Sequence, residues 1–192
     1  INLINKTIGN NPNIKIIIVE NTGIKYKTFL NNLNQEVYYT NNNFMEIENK
    51  GVKEIYDILS CIDKYNIKDE DFIIKMTGRY YIKEDSDFIN EIINYKGYDC
   101  IIKYGSYYKS CNHRVQDCIT GLIGIKSKYI KKINLSPGVE KKGYPMEHEW
   151  AKVTMDINLD NVKIMNNLGI FINPRFNKKK NFLKYKYLIF FI

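Results

Sequence analysis

The sequence lacks several features that would place the protein in a well-marked class. It has two histidines, one tryptophan and only three arginines among its 29 basic residues. No apolar run approaches the roughly 20 residues that a membrane-spanning helix requires, no charged-then-apolar leader is visible, and no GxSxG elbow presents a serine nucleophile. The chain has 192 residues with 44% hydrophobic and 26% charged content, which predicts a globular domain that buries its own core.

The four cysteines are spaced too irregularly for a common metal or disulfide framework. None belongs to a CxxC pair, and a zinc site would need Cys111, His113 and Cys118 together with a remote ligand. A chain of this length stabilises itself by burial and has no need of disulfides. We therefore expect reduced, mostly packed thiols and a cytoplasmic location.

The net charge of +8 comes almost entirely from lysine. Lys, Asn and Ile are all abundant and share A/T-rich codons, so genome composition explains the charge as readily as a selected surface does. No recognition module for DNA or RNA is present, and the aromatic residues form no stacking platform beside a lysine stripe. We expect an anionic small molecule such as a nucleotide as partner and no specific nucleic acid; a nucleic-acid-binding role is the alternative.

Short β-branched runs alternate with helical patterns along the chain. The sequence predicts strands at 15–19, 37–40, 72–76, 98–104, 122–126 and 170–172, and helices at about 46–65, 85–94 and 146–155. This alternation favours a three-layer α/β domain, in which helices flank a mixed, mostly parallel central sheet. We assign the domain to residues 1–174. Residues 175–192 form a basic, aromatic tail that packs on the domain or makes peripheral contact with a membrane.

Three polar loops follow the most buried predicted strands, at residues 20–23, 41–43 and 77–79. Ligands of open α/β sheets bind beyond the carboxyl ends of the strands, so we expect these loops to form the binding site. Gly78 lets backbone amides approach a phosphate, Arg79 offers its oxygens a bidentate fork, and Lys75 adds a point charge. The alternative is a simple turn in which Arg79 forms a surface ion pair.

These loops resemble those of GT-A glycosyltransferases, and the resemblance covers about residues 10–173. Ile16 to Gly23 (IIIVENTG) is similar to the first nucleotide-binding strand of that family, and Asn41 to Ile55 (NNNFMEIENKGVKEI) resembles its Asn-rich loop and following helix. Lys75 to Tyr80 (KMTGRY) is like a string in small glycosyltransferases of large DNA viruses and bacterial polysaccharide loci. The resemblance implies that the nucleotide is held by Glu20, Asn21, Lys50, Lys75, Thr77, Gly78 and Arg79.

The chain departs from the family where a metal-binding DXD motif is expected. At that place stands Thr77-Gly78-Arg79, which offers no carboxylate to a divalent ion. The triplet Asp69-Glu70-Asp71 precedes its strand and is expected at the opposite edge of the sheet. Around Ser86, Asp85 and Asp87 either belong to a helix N-cap, at the positive end of the helix dipole, or are weak candidate ligands for Mn²⁺ or Mg²⁺.

The helix predicted from Met146 to Met155 supplies the candidates for catalysis. Inverting members of the GT-A family place an acidic residue near a helix start, where it takes the proton of the attacking hydroxyl. Glu147 and Glu149 both fit that position and point in different directions, because they lie two residues apart on a helix. Trp150 offers a platform to an acceptor sugar, and Gly121 lies in a segment similar to the one that supports the acceptor. The alternative is an ordinary helical turn with a core tryptophan.

The resemblance implies a glycosyltransferase that moves a sugar from a nucleotide-sugar donor to a hydroxyl of a glycan or glycoprotein. UDP is the expected carrier, the anomeric centre is inverted, and the location is the cytoplasm, or the host cytoplasm if the protein is viral. The alternative from another class is a non-catalytic nucleotide- or sugar-binding module of the same fold. Arg114 and Asp117, before the predicted strand at 122–126, are functional or structural residues.

Overall fold

The structure, a computed structural model, describes residues 14–23, 29–105, 117–172 and 187–191. The strands of this part of the chain are β1 (Ile16–Glu20), β2 (Glu36–Tyr39), β3 (Phe72–Thr77), β4 (Tyr80–Ile82), β5 (Cys100–Ile102), β6 (Leu122–Lys126), β7 (Val162–Ile164), β8 (Ile170–Ile172) and β9 (Tyr187–Phe191). Its α-helices are α1 (Lys50–Lys64), α2 (Asp87–Ile93), α3 (Ser127–Ile130) and α4 (Met146–Met155). Short 3₁₀ helices lie at Phe29–Leu33, Asn42–Phe44 and Leu159–Asn161.

Seven strands form one mixed sheet in the order β2-β1-β9-β3-β6-β5-β7, and β4 pairs with β8 separately. This confirms the α/β class and the mixed central sheet that the sequence predicts. β2 is parallel to β1 and β7 is parallel to β5, whereas the other neighbouring pairs are antiparallel. The sheet is thus less parallel than predicted, because β9 and β6 each run between neighbours of the opposite direction.

Helices cover both faces of the sheet, which gives the domain three layers. Successive strand residues point to opposite faces, so Ile73 of β3 and Ile123 of β6 join a core cluster with the apolar sides of α1 and α4. Ile74 and Leu122, one residue along each strand, join a second cluster with α2. Because both faces are buried, the strands are nearly continuous apolar runs, as sheets covered on both sides require.

The first long helix begins where its capping residue requires. The side chain of Asn49 accepts a hydrogen bond from the backbone N–H of Gly51 at 2.9 Å, which satisfies one of the free donors at the helix start. Buried residues then follow at helical spacing, among them Val52, Ile55 and Ile58. The helical pattern of the sequence predicts a start near residue 46, whereas the helix begins at Lys50, directly after its N-cap Asn49.

The most C-terminal strand lies in the middle of the sheet. β9 pairs on one side with β1, where Ile189 lies opposite Ile18, and on the other with β3, where Ile189 lies opposite Met76. Residues 187–191 of the predicted tail therefore belong to the central sheet, while residues 175–186 lie outside the described residues. Every described helix is too short or too polar to cross a bilayer.

Candidate functional site at the carboxyl edge of the sheet

The three polar loops predicted to form a site lie at one edge of the sheet. β1 and β2 are parallel, and β3 runs in the same direction because two antiparallel pairings through β9 relate it to β1. β6 begins at this edge, since Leu122 lies opposite Met76 near the end of β3. We call it the carboxyl edge, and the opposite edge, where β1, β2 and β3 begin, the amino edge. The loops after β1, β2 and β3 and the segment before β6 therefore share the carboxyl edge.

Asp57 of α1 ties the loops after β1 and β2 together. Its Oδ2 accepts a hydrogen bond from Asn21 Nδ2 at 2.6 Å, and its Oδ1 accepts from Thr40 Oγ1 at 2.6 Å and Asn42 Nδ2 at 2.9 Å. Burial raises the pKa of Asp57, and these hydrogen bonds, which lower it, compensate only in part. Sequence reasoning missed Asp57, although an acidic residue among the buried positions of a helical pattern is a signal that a partner is needed.

Glu20 ends β1 as a fully buried carboxylate, with 0% of its surface exposed. The backbone N–H of Thr22 donates to Glu20 Oε1 at 3.0 Å. Among the described residues Glu20 Oε2 and Thr22 Oγ1 have no hydrogen-bond partner, and the same is true of Asp117 Oδ1. Of the buried side-chain oxygens without a partner in the described chain, only Ser127 Oγ, which follows the end of β6, lies at the amino edge. Such groups are rare in folded proteins because each loses its hydration, so the carboxyl edge has unused capacity to bind a polar ligand.

Lys75 and Thr77 bind within the protein rather than facing the predicted phosphate. Lys75 is 0% exposed, its Nζ lies 3.0 Å from Glu54 Oε2, and it also donates to the carbonyl of Thr120. Thr77 Oγ1 donates to Glu54 Oε1 at 3.2 Å. The prediction that these two side chains contact the diphosphate is wrong in this structure, because the pleat of β3 turns both toward α1, where Glu54 receives them.

Gly78 and Arg79 form the turn that follows β3, and their surroundings differ from those of Lys75. Arg79 is exposed, with its Cζ 5.8 Å from the ring centre of Tyr80. No carboxylate of the described residues forms an ion pair with it, so the predicted alternative of a surface ion pair is not observed. Lys50 is also exposed, at the first position of α1. Neither cation has an acidic partner in the described ranges, so both are open to an anion there.

Glu147, at the start of α4, is connected to the end of β3 through Thr120. Thr120 Oγ1 donates to Glu147 Oε1 at 3.4 Å, while the Thr120 carbonyl accepts from Lys75. Gly121, the next residue, accepts from the N–H of Thr77 at 2.9 Å. A Cβ on Gly121 would lie 2.6 Å from the ring of Tyr80, so the space at Gly121 is filled by that ring rather than left for an acceptor sugar.

Glu149 and Trp150 do not take the positions predicted for a base and an acceptor platform. Glu149 is buried, and its Oε1 accepts from Tyr144 Oη at 2.5 Å and Lys152 Nζ at 2.6 Å. Burial opposes ionisation, but the hydrogen bonds from Lys152 and Tyr144 outweigh it and lower the pKa of Glu149. Trp150 is 1% exposed within the core. The helix turns both inward, which leaves Glu147 as the half-exposed carboxylate of this turn.

The acidic pair at residues 85 and 87 frames a helix cap. Ser86 is the N-cap of α2, where its Oγ accepts from the N–H of Ile89 and donates to the carbonyl of Leu168 at 2.8 Å. Asp85 and Asp87 on either side are exposed. Within the described ranges no three His, Cys, Asp or Glu side chains are grouped to hold a metal ion. The cap observed here is the first of the two alternatives that the sequence leaves open, and these two residues alone do not make a metal site.

The most acidic triplet of the sequence lies at the amino edge, as predicted. Glu70 binds Lys126 at 2.8 Å and Lys128 at 2.6 Å, and Asp69 binds Lys131 at 2.6 Å. Lys126 also lies 2.6 Å from Asp99 Oδ1. The charges of Asp69 and Glu70 are therefore balanced by lysines, and these ion pairs lie just before the start of β3.

The cysteines that the structure describes are packed thiols. Cys61, Cys100 and Cys118 are free and buried, and burial raises the pKa of each. This confirms the predicted packing of these three. Cys111, His113 and Arg114 lie outside the described residues.

The chain matches no protein-family model, and comparison with the curated proteins and the solved structures found no match. The resemblance to GT-A glycosyltransferases, which was drawn from the loops of the carboxyl edge and the Lys75-to-Tyr80 string, stays a prediction. The function is inferred from those residues and their geometry.

Proposed function

We propose that the protein is a glycosyltransferase that transfers a sugar from a nucleotide-sugar donor, with UDP as carrier, to a hydroxyl of a glycan or glycoprotein. The observation that carries the proposal is the convergence of polar groups at the carboxyl edge. The ends of β1, β2 and β3 and the start of α4 meet there, in an α/β domain whose ligands are expected at this edge. The GT-A form of the fold and a cytoplasmic location are part of the proposal, the latter because buried free thiols suit a reducing compartment.

The nucleoside part of the donor is assigned to the loop after β1. Glu20 Oε2 lacks a donor in the described chain, and an N–H or O–H of a base or ribose would satisfy this oxygen. Because Glu20 is 0% exposed, the contact requires the residues that cover Glu20 to move aside when the nucleoside binds. Asn21 Nδ2 is held by Asp57. Its role is to fix the loop, and Lys50 adds positive charge from the start of α1.

The diphosphate is assigned to Gly78 and Arg79. The guanidinium of Arg79 is exposed, and its fork matches two phosphate oxygens. Lys75 acts through its neighbours: by binding Glu54 and the Thr120 carbonyl it joins α1, β3 and the segment before β6. The diphosphate leaving group thus contacts one exposed cation, Arg79. The strand before this turn, β3, is held in place by the buried ion pair between Lys75 and Glu54.

Glu147 is assigned as the general base of an inverting displacement. The oxygen of the acceptor hydroxyl bonds to the anomeric carbon while the bond from that carbon to the diphosphate breaks. The hydroxyl proton passes to the Glu147 carboxylate and UDP leaves. The Thr120 hydroxyl orients this carboxylate at 3.4 Å. Glu149 is unsuited to the role, since Tyr144 and Lys152 already hold it.

A divalent metal is implied by the family but has no complete set of ligands among the described residues. Asp85 and Asp87 are exposed and flank a serine whose hydroxyl is used in the cap. No step of the displacement above is assigned to a metal.

The donor is tested by thermal unfolding of the wild-type protein with UDP, GDP and CMP, each with and without Mn²⁺. A nucleotide that binds the folded state raises the midpoint by about 5–10 °C at a hundredfold excess over its Kd. We expect UDP to do so, and Arg79→Ala to remove the shift. Glu70→Gln, a substitution of an exposed residue at the amino edge, is the control that keeps it. No shift with any nucleotide would contradict the proposal.

A second measurement separates an enzyme from a binding module of the same fold. We expect slow release of free sugar from UDP-sugars by the wild type, because water replaces the acceptor. Glu147→Gln should lower this rate at least a hundredfold, the usual scale for loss of a general base, and leave UDP affinity unchanged. Binding without turnover in both proteins would favour the non-catalytic module.

A further inference from the structure

Phe44 is a large apolar side chain that the carboxyl edge leaves in solvent. It ends the 3₁₀ helix Asn42–Phe44, just after β2, and 70% of its surface is exposed. Single exposed apolar residues are common on protein surfaces, so exposure alone carries no inference. The position and support of Phe44 distinguish it.

The turn that carries Phe44 is fixed by α1. Asn42 Nδ2 donates to Asp57 Oδ1 at 2.9 Å, and Lys53 Nζ donates to the carbonyl of Asn43 at 2.7 Å. The N–H of Phe44 itself donates to Asn41 O at 2.9 Å. The ring is thus presented to solvent from a rigid support, which lowers the entropy cost of binding a partner.

One edge of the Phe44 ring rests on Gly23 in the loop after β1. Gly23 has φ of +76°, and a Cβ at that position would lie 2.2 Å from Phe44 Cε2. Glycine is required here both by the backbone and by the ring. The ring therefore lies beside the loop in which Glu20 Oε2 and Thr22 Oγ1 have no partner in the part of the chain that the structure describes.

We propose that Phe44 is the stacking surface for the base of the donor nucleotide, an inference that rests on the proposed function. Bases stack on aromatic faces, and every base offers a π-face. Glu20 and Thr22, in the adjoining loop, supply an acceptor and a hydroxyl to the polar rim of the nucleoside.

The order of the strands assigns the base, rather than the transferred sugar, to Phe44. Phe44 follows β2 and Arg79 follows β3, and β1 and β9 lie between these strands. At about 4.8 Å per strand the two side chains stand on strands about 14 Å apart. An extended nucleoside diphosphate carries its base at one end and its phosphates at the other. With the diphosphate at Arg79, the base extends toward Phe44. The transferred sugar is attached at the other end of the diphosphate and therefore points away from Phe44.

The test is calorimetric titration of the folded protein with UDP and with pyrophosphate, which has no base. We expect Phe44→Ala to weaken UDP binding about tenfold or more and to leave pyrophosphate binding unchanged. Phe44→Trp, which keeps a π-face, should restore UDP binding. Leu159→Ala is the matched control, since Leu159 is 74% exposed and lies outside the site. Gly23→Ala, which displaces the ring, should weaken UDP binding as Phe44→Ala does.

The outcomes are distinct. Wild-type protein that binds pyrophosphate but no nucleotide overturns both the inference and the proposed function. Wild-type binding of UDP with no loss in Phe44→Ala overturns the inference alone. An equal loss for UDP and pyrophosphate shows a structural role for Phe44, and a loss confined to UDP-sugars shows that the ring contacts the sugar. Each of these last two results also overturns base stacking.

Discussion

The two edges of the sheet use the same kinds of charged residue in opposite environments. At the amino edge the side chain of Glu70 is 65% exposed and binds Lys126 and Lys128. At the carboxyl edge Lys75 and Asp57 are buried, and each is bound by residues from other elements. Water and salt screen the first set, whereas burial makes the second set costly to disturb.

The difference shows that a dense run of charged residues in the sequence does not by itself mark a binding site. The triplet at residues 69–71 is the densest acidic run of this part of the sequence, yet its contacts are surface ion pairs. Asp57 and Glu54 stand singly on a helix, and they hold the loops and the strand end at which we place the ligand. Substitutions at the two edges should therefore differ in cost, and both edges depend on β9.

Removal of residues 175–192 should have the largest effect. It deletes β9, which pairs with β1 and β3, and leaves both with unpaired backbone in the middle of the sheet. We expect loss of the folded state, equivalent to the whole stability of a domain, about 5–15 kcal/mol. Circular dichroism and solubility measure it. A soluble truncated protein that unfolds cooperatively and has lost only liposome association would instead identify the tail as a membrane contact.

Glu54→Gln should cost about 3 kcal/mol, because it leaves the buried ammonium of Lys75 without its counter-charge. Urea unfolding at pH 7 measures the loss. Glu70→Gln is the matched change at the amino edge and should cost less than about 1 kcal/mol. An equal loss of unfolding free energy in the two variants would contradict the proposed difference between buried and exposed ion pairs.

Asp57→Asn should cost about 2 kcal/mol, since an amide N–H then faces the donors Asn21, Thr40 and Asn42. The cost should also depend on pH. The folded pKa of Asp57 lies above its ordinary value of 3.8, so the folded state binds the proton more tightly than the unfolded state. The stability that Asp57 contributes is full below pH 3.8 and declines as the pH rises through the folded pKa.

The measurement is urea unfolding of wild type and Asp57→Asn at several pH values from 4 to 7. The difference between the two proteins isolates Asp57 from Glu149, whose lowered pKa acts in the opposite direction. We expect the cost of the substitution to shrink as the pH rises. A cost that grows over this range would mean that hydrogen bonding, not burial, controls the carboxylate.

Asp69→Asn should have the smallest effect. The Lys131 partner lies at 2.6 Å, but both side chains are substantially exposed, so the change should stay within about 0.5 kcal/mol. Unfolding in low salt and in 1 M salt tests it, and the small difference should vanish in high salt. A larger effect that persists in high salt would contradict this prediction, because it would show that the ion pair at the amino edge is as poorly screened as the buried pairs at the carboxyl edge.

Much of the fold follows from local pattern. The predicted bounds of β6, α4 and β8 agree with the structure, and β1 and β3 agree within a residue, because β-branched runs and helical spacing are strong local signals. The sequence predicts that residues 175–192 pack on the domain, but it does not place β9 in the middle of the sheet. Its basic, aromatic surroundings are typical of a tail, and its place is decided by β1 and β3, which lie far from it in the sequence.

The sequence predicts at which edge of the sheet the site lies, but not which side chains contact one another there. The rule for α/β sheets identified the loops that hold Glu20 and Arg79. It did not show that Lys75 and Thr77 turn toward Glu54, or that Asp57 binds Asn21, because such choices depend on how α1 lies over the sheet. Partners across elements require the three-dimensional register, which one sequence does not contain.

The central position of β9 also sets the order in which the protein is able to form during synthesis. β9 leaves the ribosome about 110 residues after β3 ends, roughly 5–20 s later at usual elongation rates. Until then β1 with β2, and β3 with the strands beyond it, are half-sheets whose facing edges have unpaired backbone. Open strand edges recruit other chains. The nascent protein therefore depends on how soon β9 is synthesised, or on a chaperone, to keep those edges from pairing with neighbouring chains.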